Sequence, residues 1–493
     1  MQEYTIESGF AFYAAAQEQF VKLVDELNSS TTQTLEHGDV ESLIAHNGKE
    51  ILRLLMQGYL NQKSAKEEPL DAVVGTDGQE RRYQRERVRN LATLFGDVCI
   101  HRLGYSGPEL DSVFPLDQAL NLPIHKYSQG LQRKVGLEAA KCSFDKTIEG
   151  IQEYTGVTIP KRQVEQLTQA VSIDFDDFYE QKQQEVNSDA DLLVMTTDSK
   201  GIVMRTEDLR DATRKAAEKS KHKIQTRLST GEKHNRKRMA TVASVYEARP
   251  HQRTAEQIMG QDDDGVPERP EISNKRVWAS VRKSQSEVIE QMFAEAERRD
   301  PERKKQRLVL IDGQEAQLRA VEAAIAKSGT NVVIIQDFIH VLEYLWKAAY
   351  CFYPPGTQEA EDWVMNHALA ILNGKISDTA AGMRRSATRR NLSQEERVPV
   401  DKCANYLINN KDRLDYATAL ANGWPIATGV IEGACRHLVK DRMDLTGARW
   451  SLDGAEAVLR LRALCASKDL DDYMDFHQRK ERQRNYVIPK MAA

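Results

Sequence analysis

The signals that mark membrane spans, secretion and nucleotide binding are missing from this sequence of 493 residues. No apolar run reaches the ~18 residues that a membrane helix needs. The start, "MQEYTIESGF", has neither a basic flank nor a continuous apolar stretch, which argues against a signal peptide. A Walker-type phosphate loop is also missing, so we expect no nucleotide cofactor. We therefore predict a large cytoplasmic protein of roughly three domains that does not associate with membranes.

Paired cysteines are missing as well. The six cysteines are scattered without a CxxC spacing, which argues against a zinc ribbon and against a disulfide framework. We expect reduced thiols at all of them: Cys99, Cys142, Cys351, Cys403, Cys435 and Cys465.

The chain has no large excess of charge of either sign, since the net charge is −5 with 29% charged residues. Positive charge is nevertheless concentrated in "RDATRKAAEKSKHKIQTRLSTGEKHNRKRM", which holds eleven Lys or Arg residues against three acids. Because this segment has few large apolar residues, we predict an exposed basic arm at 205–239 that contacts DNA phosphates. Its expected contacts include Arg236, Lys237 and Arg238. The alternative is a solvated surface, which is the commoner role of charge runs.

Helical patterns are frequent in the amino-terminal part. Apolar residues recur at helical spacing in 8–27 and 39–65, which is typical of packing helices. A small β-hairpin is predicted around Phe95–Asp97, where two β-rich runs are separated. Neither feature carries an obvious chemical function.

The stretch "SFDKTIEGIQEYTGVTIPKRQVEQLTQ" has the outline of a helix-turn-helix. It combines a serine start signal, an apolar stripe, a Thr-Gly break and a proline that opens a second helix. The first residues of that second helix, Lys161, Arg162 and Gln163, would then meet base edges in DNA. Two helices packed within an all-helical domain give the same pattern.

Strand-like runs follow in the middle of the chain, and two of them lead to an aspartate. In "DLLVMTTDSKGIVMR" a strand precedes Asp198, and we predict a tight connection at 199–201 into a second short strand. In "QRLVLIDGQ" four apolar residues precede Asp312 and a glycine. With "MATVASVY", "KRVWASV", "NVVIIQD" and two helical patterns, the series is three strands, helix, strand, helix, strand.

That order is the one used by the RNase H-like nuclease fold, in which the first and fourth strands are adjacent. Asp198 and Asp312 would then be neighbours, and adjacent carboxylates repel each other unless a cation binds between them. The pattern therefore favours a divalent-metal site. For Asp312 alone, the alternative is an Asp-Gly turn that closes a strand.

A third acidic residue is needed if two metal ions are to hold the attacking and the leaving oxygens of a phosphodiester. In "WPIATGVIEGACRHLVKDRMDLTGARWS", Glu432 is followed by Arg436 and Lys440 on one helix face. The carboxylate could complete the metal site while the cations hold a phosphate. The alternative is an intrahelical Glu–Arg pair that contributes roughly 0.3 kcal/mol.

Several motifs together resemble a known family. These are "TTDSKGIVMR", "TRLSTGEKHNRKRMATVASVY", "LIDGQEAQL", "QDFIHVLEYLWKAA" and "GVIEGACRHLVKDRMDLTGARWS". They closely resemble bacterial insertion-sequence DDE transposases of the ISKra type, relatives of the Mutator-like enzymes. The match runs from about residue 85 to about residue 480, and its motifs are far more specific together than singly.

The resemblance implies a DNA transposase with an RNase H-like core that a helical insertion interrupts. It implies a catalytic and metal-binding triad of Asp198, Asp312 and Glu432 that holds two Mg²⁺ ions, for which Mn²⁺ would substitute. The implied partners are the terminal inverted repeats of the element and target DNA, bound by a homo-oligomer in the bacterial nucleoid. The implied DNA contacts of the last motif are Arg436, Lys440 and Arg442.

The acidic residue after the next strand needs a separate interpretation. Asp337 to His340 fits the signature of Cys or Asp, two residues, then His that Mutator-like enzymes carry downstream of their second catalytic acid. We therefore predict that Asp337 caps the following helix, and that His340 has a supporting role near the active site. Packing in the core is an equally good interpretation of His340, and it is the favoured one for Trp450.

The expected fold class is an α/β RNase H-like catalytic core with a helical insertion, preceded by a mainly helical region that contains a helix-turn-helix. Two other functions stay open: a DNA-binding protein without catalysis, and a metal-dependent nuclease that does not join strands. The expected divisions are a helical region at 1–85, the hairpin and helix-turn-helix at 86–185, the first part of the core at 186–345, the helical insertion at 346–422, the last helical part of the core at 423–475 and a polar tail at 476–493.

Overall fold

The computed structural model describes residues 10–182, 190–219, 236–261, 268, 271–445 and 447–486. The chain is of mixed α/β type and forms two compact units. The first unit is Met1–Gln181 with Asp469–Ala493, and the second is Lys182–Lys468. Within the described ranges, every helix is too short or too polar to cross a membrane.

The described residues form ten strands and twenty α-helices, numbered in chain order. The strands are β1 (Val73–Val74), β2 (Glu80–Arg81), β3 (Tyr83–Thr93), β4 (Gly96–Gly107), β5 (Leu110–Val113), β6 (Leu192–Val203), β7 (Lys237–Ala248), β8 (Ser273–Ser280), β9 (Gln306–Ile311) and β10 (Val333–Gln336). The helices are α1 (Ala14–Leu27), α2 (His37–Ala65), α3 (Pro115–Ala119), α4 (Gln129–Lys141), α5 (Phe144–Thr155), α6 (Lys161–Val171), α7 (Phe175–Gln181), α8 (Asp211–Glu218), α9 (Ala255–Ile258), α10 (Gln285–Arg299), α11 (Glu315–Ser328), α12 (Phe338–Ala349), α13 (Gln358–Leu372), α14 (Ile376–Arg389), α15 (Val398–Asn409), α16 (Tyr416–Ala421), α17 (Gly429–Ala434), α18 (Asp441–Met443), α19 (Leu452–Ala466) and α20 (Leu470–Asn485).

The first unit contains the predicted hairpin and the predicted pair of helices. Strands β3 and β4 are antiparallel, and Thr93 lies opposite Gly96 across the turn. Helix α5 begins after Ser143, whose hydroxyl accepts a hydrogen bond from the Lys146 amide, and it ends at Gly156 in the left-handed region with φ +72°. Helix α6 then starts after a proline, so the break between two helices is confirmed.

Helix α20 belongs to this first unit as well, and it runs through the boundary expected at 475. The segment expected to be a polar tail therefore continues a helix as far as Asn485. Tyr473 and His477 are buried there, and the Tyr473 hydroxyl donates to the carbonyl of Val171. Sequence analysis missed the packed face of this helix, because its composition is polar and its few buried positions are separated by charged residues.

The second unit is built on a five-stranded mixed sheet with the order β10-β9-β6-β7-β8. Strand β7 is antiparallel to both β6 and β8, whereas β9 is parallel to β6 and β10 is parallel to β9. The central strands are apolar on both faces because helices cover both sides. One face packs on α12–α16, while α10 contacts β7 and α19 contacts β8. These helices include those predicted between residues 346 and 422.

The predicted connection at 199–201 is wrong, because β6 is one continuous strand. It pairs with β7 in unbroken antiparallel register, with Val203 opposite Lys237. Gly201 does not form a turn. A Cβ at Gly201 would lie 2.8 Å from Cδ of Lys237, so the glycine instead allows the neighbouring strand to approach closely.

Candidate metal centre

Asp198, Asp312 and Glu432, the three acids predicted to bind metal, line one cavity of about 310 Å³. They reach it from β6, from the residue after β9 and from α17, respectively. The lining residues are Thr197, Asp198, Lys200, Asp312, His340, Thr428, Ile431, Glu432, Cys435, Arg436 and Lys440.

The register of the parallel pair β6 and β9 explains why the two aspartates are close. The pairing ends with Thr196 opposite Leu310, and Asp198 and Asp312 each follow two residues later. Side chains alternate along a strand, so both aspartates lie on the sheet face that carries Leu308 and Leu310. That face packs on α12–α16.

Both carboxylate oxygens of Asp198 have partners within the protein. The backbone amide of Ser199 donates to Oδ1 at 2.6 Å. The Cys435 thiol donates to Oδ2 at 3.2 Å, and the Lys200 ammonium lies 3.1 Å from the same oxygen. Burial, together with the Asp198 carboxylate, raises the pKa of the Cys435 thiol well above its ordinary value, so this thiol stays protonated and can donate.

Asp312 lies in a turn that requires glycine at the next position. Its Oδ1 accepts a hydrogen bond from the Gln314 amide at 3.0 Å. Gly313 has φ +89°, and a Cβ on it would lie 2.1 Å from Nε2 of the fully buried Gln336. The Asp-Gly pair that looked like an ordinary strand end is therefore held in one conformation by its neighbours on β10.

We expect Gly313→Ala to destabilise the protein by at least about 2 kcal/mol, because the new Cβ meets Gln336 in addition to the strain of a positive φ. The matched control is Gly329→Ala, since Gly329 has φ +60° but open space around its Cβ position. That control should cost only about 1 kcal/mol. Urea unfolding of both variants measures the difference, and equal losses would show that the contact with Gln336 is not restrictive.

Asp337 is fully buried and caps α12, as predicted. Its Oδ1 accepts a hydrogen bond from the Ile339 amide at 3.0 Å, and its Oδ2 accepts one from the Thr428 hydroxyl. Asp337 is not among the cavity-lining residues, whereas His340, one turn along α12, is. The His340 Nδ1 lies 3.8 Å from Oδ2 of Asp337, so this ring lies between the cap and the cavity.

Glu432, Arg436 and Lys440 all reach the cavity, although the helix between them is not regular. The segment Cys435–Lys440 is a π-helical turn that directly follows α17. Wider turns of this kind are frequent at functional sites. The prediction that these three residues share one helix face assumed a regular α-helix. The composition of "CRHLVK" gives no sign of the wider turn.

Sequence analysis did not predict two cavity residues that contact Asp198. Lys200 lies two residues after Asp198 on the same strand, so the period of a strand would have placed both side chains on one face. Because a turn was predicted at 199–201, Asp198 and Lys200 were not expected to share one face of a strand. Cys435 gave no signal, because a single cysteine in a helix is usually a packing residue.

Two arginines that were predicted to contact DNA lie inside the protein instead. Arg236 is 6% exposed and donates to Oγ1 of Thr206 and to the carbonyl of Ala217. Arg442 is 2% exposed, and its guanidinium lies 4.8 Å from the ring centre of Trp450. Trp450 is itself buried, as predicted. The charge of an arginine does not distinguish these roles, because an arginine that packs and forms hydrogen bonds inside the protein looks the same in sequence as one that binds phosphate.

The other predicted DNA contacts differ in exposure. Lys237 is exposed, whereas Arg238 is half-buried and donates to the carbonyl of Val281 at 2.8 Å. Residues 220–235 of the predicted arm lie outside the described residues. In the first unit, Arg162 is exposed and Lys161 pairs with Asp145 at 2.8 Å at the surface, while Gln163 accepts a hydrogen bond from the Tyr127 hydroxyl.

The donor set of the cavity suits a hard divalent cation. Three carboxylates are the ligand type that Mg²⁺ and Mn²⁺ prefer, and Thr197 and Thr428 add oxygen atoms nearby. The three carboxylates are spread around the cavity, and they are not among the groups whose ligand atoms all lie within 4.8 Å of one another. This spacing leaves room for a cation and for part of a substrate between them.

In the described part of the chain, the one group of three that meets that distance is Asp174, His477 and Glu481, in the first unit. Asp174 already has two partners, since His477 Nδ1 lies 2.6 Å from its Oδ2 and the Arg484 guanidinium lies 2.5 Å from its Oδ1. Although burial opposes it, hydrogen bonds and charge from His477 and Arg484 lower the pKa of Asp174. Arg484 also pairs with Glu481. We interpret this cluster as an ion-pair network that fixes α20.

No model of a known protein family matches the chain, and no curated protein matches it either. The resemblance to ISKra-type transposases therefore stays a prediction. The assignment of a function depends on the cavity, on its charges and on the topology of the sheet around it.

Proposed function

We propose that the protein is a DNA transposase that cleaves phosphodiester bonds at the ends of an insertion sequence and joins the freed 3′ hydroxyl to target DNA. The observation that carries this proposal is the convergence of Asp198, Asp312 and Glu432 on one cavity that Arg436 and Lys440 also line. Carboxylates for metal ions beside cations for phosphate are the two requirements of metal-dependent phosphoryl transfer.

The sheet supports an RNase H-like core. Three successive antiparallel strands, β6, β7 and β8, are followed by β9, which returns beside β6, and by β10 at the edge. Helices α10 and α11 connect the parallel strands. Asp312 follows the carboxyl end of β9, and Asp198 lies on the adjacent parallel strand β6, two residues past its last pairing with β9. The carboxyl ends of parallel strands are the usual location of active sites in sheets of this kind.

In the proposed reaction, the carboxylates of Asp198, Asp312 and Glu432 hold the divalent ions. When bound, these ions supply an activated water and stabilise the leaving oxygen. Arg436 and Lys440 bind the phosphate that flanks the reacting bond. The Ser199 amide and the Cys435 thiol orient the Asp198 carboxylate, which lines the cavity.

Neither step needs an external energy source, because cleavage is a hydrolysis and joining exchanges one phosphodiester bond for another. In cleavage, a water oxygen bonds to phosphorus while the bond to the 3′ oxygen breaks, and that oxygen leaves as the 3′ hydroxyl. In joining, the 3′ hydroxyl oxygen bonds to a target phosphorus while a target P–O bond breaks. One bond forms and one breaks in each step, which agrees with the expected lack of a nucleotide cofactor.

The test is a reaction of the full chain with labelled duplex DNA taken from either side of its own coding sequence, with and without Mg²⁺. Products are resolved by length, so that cleaved and joined strands are distinguished. Joined products that require Mg²⁺ would support the proposal. Cleavage without joining would identify a nuclease, and binding without either product would identify a DNA-binding protein.

The cations of the cavity give a second prediction. We expect Arg436→Ala combined with Lys440→Ala to weaken DNA binding and to reduce the slope of log affinity against log salt by about 2, since each lost phosphate contact contributes about 0.9. The matched control is Arg319→Ala with Lys327→Ala, two exposed cations on α11. Fluorescence anisotropy over a range of salt concentrations measures both. An equal slope in the two double variants would remove the cavity from the DNA interface.

A further inference from the structure

Lys200 is a cation in direct contact with one of the proposed metal ligands. Its ammonium lies 3.1 Å from Oδ2 of Asp198, and its side chain is 51% exposed at the cavity. Asp198 itself is only 19% exposed. A partly buried carboxylate needs a compensating charge, and Lys200 supplies it.

The charges around Lys200 extend beyond this one pair. The ammonium contacts Asp198 and lines the same cavity as Glu432, a second proposed metal ligand. A divalent ion bound by Asp198 and Glu432 would meet this ammonium at the same carboxylates.

We propose that the Lys200 ammonium is the resident counterion of the cavity, which a divalent cation displaces from Asp198 and which then binds DNA phosphate. The proposal rests on the proposed function, because it assumes that Asp198 and Glu432 bind metal. A divalent ion that binds Oδ2 has to compete with the ammonium there, since Oδ2 already accepts the Cys435 thiol and lies 3.1 Å from Lys200. After displacement, Lys200 remains in the same cavity as Arg436 and Lys440.

This exchange couples metal binding to DNA binding. Without DNA, a metal ion has to separate the ammonium from Asp198 and leave it next to a divalent charge, which weakens metal affinity. With DNA, the ammonium acquires a phosphate partner, so the same displacement costs less. Each ligand then strengthens the binding of the other by the same factor, as linkage requires. Metal would occupy the centre mainly when DNA is present, which limits unproductive metal binding.

Mn²⁺ titrations followed by electron paramagnetic resonance test this coupling, with the full chain in the presence and absence of a duplex oligonucleotide. We expect Lys200→Met to bind Mn²⁺ about tenfold more tightly than the unmodified protein without DNA, the change that corresponds to one pKa unit of carboxylate interaction. We also expect DNA to tighten Mn²⁺ binding in the unmodified protein and to have much less effect in Lys200→Met. Lys440→Met, which removes a charge elsewhere in the cavity, is the matched control and should show a smaller change.

A second variant and a second measurement protect the test against misfolding. Lys200→Gln keeps a polar side chain and should also bind Mn²⁺ more tightly without DNA. In buffer with a chelator, both variants should unfold at a lower temperature than the unmodified protein, and Mn²⁺ should restore most of the difference. Equal or weaker Mn²⁺ binding by both variants would overturn the inference about Lys200. If neither the unmodified protein nor the variants bound Mn²⁺ in a way that Asp198→Asn abolishes, the proposed metal centre would itself be wrong.

Discussion

Asp312→Asn is expected to abolish DNA cleavage and strand joining while it leaves folding and DNA binding intact. The substitution keeps the shape of the side chain and leaves an oxygen that can accept the hydrogen bond from the Gln314 amide. It removes the negative charge that a divalent ion requires. We expect a loss of more than about 100-fold in rate, because even partners that only support a metal ligand commonly contribute 10- to 100-fold. The measurement is the cleavage rate with Mg²⁺, beside DNA affinity measured by anisotropy.

Asp337→Asn is the matched control, because Asp337 follows the neighbouring parallel strand β10. Its carboxylate caps α12 and accepts hydrogen bonds from Ile339 and Thr428, so the variant should lose about 1 kcal/mol of stability. Residual cleavage should nevertheless remain, since this carboxylate is fully buried and is not among the groups that line the cavity. If Asp337→Asn were inactive and Asp312→Asn active, the metal centre would have to be assigned to the end of β10 instead.

The contrast between these two aspartates shows how far sequence patterns reach. Each follows an apolar strand, and each could have been the metal ligand. The resemblance to Mutator-like enzymes separated them, because their signature of Cys or Asp, two residues, then His fits Asp337 to His340. A carboxylate in such a position can cap the helix that follows. The glycine after Asp312 predicted a turn, but the contact that makes this glycine necessary comes from Gln336, and sequence alone gives no sign of it.

Two features of the site were out of reach of the sequence for different physical reasons. The uninterrupted β6 depends on an antiparallel partner, β7, that follows only after the basic segment. The π-helical turn at Cys435–Lys440 depends on packing around it rather than on its own residues. Local propensity is a weak guide where tertiary contacts decide the conformation. By contrast, the strands and helices of the second unit have regular apolar periods, and these predicted the order of elements well.

Glu295→Ala is expected to cause a large loss of stability at a position outside the proposed metal centre. Glu295 is fully buried on α10, and its carboxylate lies 2.5 Å from Arg276 and 2.8 Å from Arg299. Both arginines are also buried, and Arg298 lies 2.7 Å away at the edge of the cluster. The substitution would leave two buried guanidinium groups without this carboxylate, which typically costs about 3–5 kcal/mol.

Urea unfolding at neutral pH measures this loss, and Glu290→Ala is the matched control. Glu290 lies on the same helix and pairs with Lys327 at 2.7 Å, but both side chains are exposed. Exposed pairs of this kind contribute about 0–1 kcal/mol, so the control should unfold almost like the unmodified protein. Similar losses in the two variants would mean that the buried cluster adds no more than a surface ion pair.

The same carboxylate should make stability depend on pH in acid. Although burial opposes it, the charges of Arg276 and Arg299 lower the pKa of Glu295 from 4.5 to about 2. A carboxyl group whose pKa is lower in the folded state stabilises the protein above its unfolded pKa and loses that contribution as the pH falls through the folded value. Between pH 4.5 and about 2, the loss should amount to about 3 kcal/mol. The stability of Glu295→Gln should depend less on pH across this range, because an amide does not titrate. An unchanged dependence would assign the acid sensitivity to other carboxylates.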